Sequence, residues 1–132
     1  MKISIATLIA GIIGIQAAAA STATYECKIT KESGLGWVPP DYSFQINTAG
    51  RDAKVHSNYH DWTDAKYKLR NDGEYRILWN VTLRASDGQN LRMKYQANLD
   101  TKQNTVRIRA SFANTSASNK PFGTGSCVLK SS

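Results

Sequence analysis

Between Tyr75 and Leu83 every second residue is large and apolar: Tyr75, Ile77, Trp79, Val81 and Leu83 alternate with Arg76, Leu78, Asn80 and Thr82. Successive side chains of an extended strand point to opposite faces, so a period of two describes a strand with one buried face. A helix of this sequence would scatter the apolar residues around its axis. The same alternation returns in Leu91, Met93, Tyr95, Ala97 and Leu99, and again in Val106, Ile108, Ala110 and Phe112. Shorter versions are Tyr25, Cys27 and Ile29; Tyr42, Phe44 and Ile46; Ala53 and Val55; Ala65, Tyr67 and Leu69. A last strand holds Cys127 and Leu129. Asn71-Asp72-Gly73 and Ser86-Asp87-Gly88 are turn sequences between these runs. The expectation is an all-β domain of about eight short antiparallel strands, meandering into a small barrel or sandwich. One stretch admits a second reading. Thr63 can cap a helix over 62–70, with Gly73 ending it.

The chain ends carry different information. Met1-Lys2 is followed by an uncharged stretch from Ile3 to Ile15 and then by small residues from Ala17 to Ala23. That is the layout of a secretory signal peptide. Its apolar core is shorter than the roughly 20 residues a permanent helical span requires. Ala18-Ala19-Ala20 offers cleavage before Ser21, and Ser21-Thr22-Ala23 places the cut as late as residue 23. The expected organisation is a signal peptide over 1–20 and one β domain over 21–132, with no membrane span in the mature form. The destination is periplasmic or secreted. Export puts the two cysteines in an oxidising compartment. Cys27 lies near the mature start and Cys127 near its end, so a bridge would tie the first strand to the last. Pairing those strands also removes a sheet edge, which favours a barrel over an open sheet.

The chain has 17 Lys and Arg against 10 Asp and Glu, a formal charge of +7. Many of the cations fall on the positions that alternate with the apolar face: Lys66, Lys68, Arg70, Arg76, Arg84, Arg92, Lys94, Arg107 and Arg109. If the strands pair as read, these nine form a positive wall without acids among them. Such a wall attracts polyanions whatever their detailed structure. It also serves to keep sheet edges from self-association. An anionic envelope polymer or an acidic protein suits the expected compartment. Nucleic acid does not, because export argues against it and the aromatics are mostly assigned to the core rather than to a stacking platform.

Little else in the sequence carries chemistry. His56, His60, Asp61 and Asp64 are close in sequence and could supply an acid–base pair to a hydrolase. A His-x-x-x-His pair shares a face only on a helix, however, and His56 alternates with Val55 on an outward position. There is no phosphate loop, zinc motif or dinucleotide fingerprint, and Gly125-Ser126-Cys127 lacks the second glycine of a nucleophile elbow. No cofactor or metal is expected.

Tyr25-Glu26-Cys27, Gly36-Trp37-Val38-Pro39-Pro40, Tyr95-Gln96-Ala97-Asn98-Leu99-Asp100 and Gly123-Thr124-Gly125-Ser126-Cys127 together resemble a group of small, exported proteins of marine alphaproteobacteria. The resemblance implies a signal peptide, a disulfide and a β-rich domain, and implies no activity. The Tyr-x-Cys start and late cysteine are also similar, more thinly, to bacterial inhibitors of C-type lysozyme, without a counterpart of their inhibitory loop. The expectation for function is therefore a monomeric, non-enzymatic β-barrel that binds an anionic partner through its basic face. The alternatives are a barrel that holds a small apolar ligand among Tyr67, Trp79, Tyr95 and Phe112, and, further behind, a hydrolase or an enzyme inhibitor.

Overall fold

The computed structural model describes residues 22–33, 36–71, 73–113 and 120–131. The expected signal segment lies outside them. Eight strands follow one another: β1 (Thr22–Glu32), β2 (Asp41–Asn47), β3 (Asp52–Ser57), β4 (His60–Leu69), β5 (Glu74–Arg84), β6 (Asn90–Asp100), β7 (Thr105–Phe112) and β8 (Phe122–Ser131). Each pairs antiparallel with its sequence neighbours, and β1 pairs with β8 to close a barrel. Residues Trp62 to Leu69 are strand, so the helical reading of 62–70 is not adopted. Tertiary pairing decides this stretch. Ala65 lies opposite Ala53 of β3, and Tyr67 opposite Ile77 of β5.

The register places the expected core inside. Phe44, Val55, Ile77, Met93, Ala97, Leu99 and Ile108 are fully buried. Trp79 and Tyr95 face each other across β5 and β6 and stack with ring centroids 5.3 Å apart. Tyr42 and Phe44 meet the Trp79 ring at 6.1 Å and 5.9 Å. One end of the barrel is capped by the segment before β2. Val38 and Pro39 are buried there, Tyr95 Oη donates to the Trp37 carbonyl at 2.7 Å, and Trp37 meets Phe112 edge-on at 5.2 Å. At the other end Tyr67 packs on Tyr75 at 5.5 Å. Leu69 and Leu129 sit opposite Tyr75 and Tyr25 at this second end, and both are about half exposed, not buried as expected. Their parity is right. They lie at a barrel mouth that no loop among the described residues covers.

Cys27 and Cys127 are directly opposite each other in the β1–β8 pairing and form a disulfide. The Cys127 amide donates to the Asn104 carbonyl, away from β1, so the two cysteines occupy a non-hydrogen-bonded pair, where side chains approach most closely. Gly125 permits the same approach two residues earlier. A Cβ there would lie 1.9 Å from the Lys28 carbonyl oxygen, inside the backbone of β1.

The wall of the barrel is not uniform. β4 pairs with β3 from His60 to Ala65 and with β5 only from Lys66 to Leu69. β5 continues to Arg84, paired over its whole length with β6. From Trp79 to Arg84, therefore, β5 has no strand on its β4 side among the described residues. The two lips diverge toward the capped end and leave a split.

Candidate anion-binding face

All nine expected cations lie on outward positions of β4 to β7 or at their ends. Arg76 is half-buried and its Nε has no hydrogen-bond partner, while the other eight are exposed. The pairing converts the sequence pattern into rows across the sheet. Lys68 faces Arg76, then Asn98, then Arg107. Lys66 faces Leu78, then Gln96, then Arg109. Asn80 faces Lys94, and Thr82 faces Arg92. The cations are thus staggered, with amides and hydroxyls between them. Only Lys68 and Arg76 are directly opposed. Cations two strands apart in one row are separated by about 10 Å, close to one Debye length at physiological salt. Cations at alternate positions of one strand, such as Arg92 and Lys94, are nearer, at about 7 Å.

The expectation that no acid shares this face needs correction. The strands are longer than the sequence pattern suggested, and their extensions carry Asp64, Glu74 and Asp100 on outward positions. Glu74 faces Asp100 at the uncapped end, so these two acids form a rim below the cations. Asp64 pairs with Lys54 at 4.0 Å. The other ion pairs, Lys28 with Asp41 and Lys130 with Glu26, lie on other strands. Among the described residues none of the nine cations has an ion-pair partner.

Two contributors were not found in the sequence. Lys120 and Phe122 join Arg107 and Arg109 around a surface groove of about 380 Å³. Phe122 lies opposite Arg109 and is about half exposed, giving the basic face an apolar ring. The sequence offered no signal for this, since Phe122 sits thirteen residues from Arg109 and only the β7–β8 register joins them.

The histidine cluster does not converge. His60 is half-buried and its Nε2 accepts a hydrogen bond from Trp79 Nε1–H at 3.2 Å. Its Nδ1 lies 2.8 Å from the Asp61 carbonyl and so carries the proton. His56 leans instead on Trp62, ring centroids 5.4 Å apart. Asp61 accepts from the Trp62 amide at 2.8 Å. No group of three metal-ligating side chains exists among the described residues. The cluster tightens a hairpin and closes the core.

Burial holds the His60 imidazole below its ordinary value of 6.5; the Asp61 carbonyl opposes that shift and His56 adds to it. A depressed histidine binds its proton more readily in the unfolded chain. The stability this contributes is complete above pH 6.5 and is lost as pH falls toward the folded value. Protonation also ends the Nε2 hydrogen bond to Trp79, a loss of about 1 kcal/mol. Melting temperature is therefore expected to fall between pH 7 and pH 5. The slope should shrink in His60→Gln, which has no proton to gain. Equal slopes in both proteins would assign the effect to other groups.

No family model matches this chain, and no curated protein or solved structure matches it either.

Proposed function

We propose that this domain is a non-enzymatic, exported β-barrel that binds an anionic partner through the outer face of β4 to β7. The observation that carries the reading is the set of nine cations without an ion-pair partner among the described residues; of the three acids on this face, Glu74 and Asp100 lie at the rim and Asp64 is paired with Lys54. A packed interior supports a surface site over an internal one. Trp79 and Tyr95 are 3% exposed and stacked on each other, Tyr67 is engaged by Tyr75, and Phe112 by Trp37. The disulfide fits an oxidising compartment, in keeping with a periplasmic or secreted protein. The partner is an anionic envelope polymer or an acidic protein, bound by a monomer.

Mutual repulsion among unpaired cations destabilises the free domain, and a bound anion offsets it. Heparin, used as a generic polyanion, is expected to bind at low salt and to raise the melting temperature by several degrees. The shift should fade as ionic strength rises. Reversing Arg92, Lys94, Arg107 and Arg109 to Glu should abolish it without unfolding the domain, because all four side chains are exposed. Undiminished heparin binding by the quadruple variant would reduce the basic face to a solubility device.

A further inference from the structure

The split between β4 and β5 exposes one particular set of backbone groups. The Arg70 amide donates to the Glu74 carbonyl at 2.8 Å, so Glu74 directs its carbonyl toward β4. The Ala85 amide donates to the Gln89 carbonyl at 2.7 Å, so Ala85 faces the β6 side. Strand groups alternate in direction, and the even residues of β5 therefore face β4 while the odd ones face β6. Pairing with β4 stops at Leu78. The N–H and C=O groups of Asn80, Thr82 and Arg84 point into the split with no strand among the described residues to meet them. On the opposite lip the Asp61 carboxylate takes the Trp62 amide. No side chain among the described residues caps the β5 lip in this way.

Two separate surface grooves lie along this lip. One, of about 550 Å³, is lined by Asp64, Lys66, Leu78, Asn80 and Lys94. The other, of about 520 Å³, lies at the capped end among Trp37, Tyr59, Leu83 and Arg84. The unpaired run from Trp79 to Arg84 is about 20 Å long at the usual rise of a strand.

We propose that the β5 lip takes up an extended acidic segment of a partner protein as an added strand. The proposal rests on the anionic-partner reading for the charge of that segment, and names the partner class and the place. An added strand would satisfy the exposed N–H and C=O groups by a ladder. Its outward side chains would lie beside Asn80, Thr82 and Arg84, with Arg92 and Lys94 one strand further on; Asp64 on the opposite lip is paired with Lys54, so the cations dominate and Asp and Glu are favoured there. Its inward side chains would lie beside Val81 and Leu83, which are only half-buried, so small apolar residues are favoured there. A second copy of this chain is disfavoured, because joining two such lips brings the same cations together. A polysaccharide supplies charge but no alternating donors and acceptors.

The test uses the disulfide-bonded domain labelled with ¹⁵N and two peptides of alternating Glu and Val. One is unmodified and the other is N-methylated at every second residue, on the edge facing β5. The unmodified peptide is expected to slow hydrogen exchange at Asn80, Thr82 and Arg84 by at least tenfold, and the methylated one to bind at least tenfold more weakly. Thr82→Pro removes an unpaired N–H without breaking a ladder bond, and should weaken the peptide about tenfold while heparin binding persists. Binding of both peptides within twofold, or protection elsewhere, would overturn strand addition and leave the charged-face reading intact. Heparin binding with no peptide binding would make the partner a polymer. Concentration-dependent dimerisation through the same amides would make it a second copy. Loss of heparin and peptide binding together would sink both readings.

Discussion

Trp79→Ala is expected to lower the stability of this domain by about 3–5 kcal/mol, near the upper end of what single substitutions do. The side chain is 3% exposed and touches the rings of Tyr42, Phe44 and Tyr95. Its removal opens a cavity that three rigid aromatics cannot collapse to fill. It also strands His60 Nε2, whose hydrogen-bond donor is the Trp79 indole. Trp79→Phe should cost less, since it keeps a ring in the stack and loses chiefly the indole donor. Arg84→Ala is the matched control, five residues on and facing out, and should change stability by less than about 0.5 kcal/mol. Arg76 is a poor control, because its Nε is buried without a partner. Denaturant unfolding measures all three variants. Equal costs for Trp79→Ala and Arg84→Ala would mean that the inner and outer faces of β5 are exchanged.

Replacing both cysteines by alanine is expected to cost about 2–5 kcal/mol. The bridge spans a sequence separation of 100 residues, so it constrains nearly the whole unfolded chain. It also holds the seam where the barrel closes, and both cysteines are buried there. In a domain of this size each kcal/mol moves the melting temperature by about 4–8 °C, so a fall of ten degrees or more is expected. Alanine is preferred to serine because it leaves no buried hydroxyl in search of a partner. Melting the parent with and without reductant provides an independent check. A change of one or two degrees would show that β1 and β8 are held by their ladder alone.

The strands of this protein were legible because half-buried sheets write their burial into the sequence. Tyr75 to Leu83, Leu91 to Leu99 and Val106 to Phe112 alternate without a miss, and each sits in the barrel with the expected face inward. The closure was legible too, from two cysteines at opposite ends of a chain expected to be exported. Where the reading failed, the cause was of another kind. Leu69 and Leu129 have the parity of core residues but lie at a barrel mouth, and parity says nothing about position along the barrel axis. Asp64, Glu74 and Asp100 stood outside the strands as read, because polar strand ends resemble turns.

The sequence by itself determined the fold class, the inner and outer face of each strong strand, the cysteine pair and the outward placement of nine cations. Those follow from a local rule, the two-residue period of an extended chain. Only the tertiary structure decided how the cations stand relative to one another, that Phe122 lies beside Arg109, and that His60 turns inward to Trp79. It alone decided that β4 joins β5 only from Lys66 onward, so that β5 runs unpaired on that side beyond Leu78 and a split opens beside Asn80, Thr82 and Arg84. These features depend on register between strands far apart in the chain, and register is fixed by the summed packing of the whole barrel and not by any single segment.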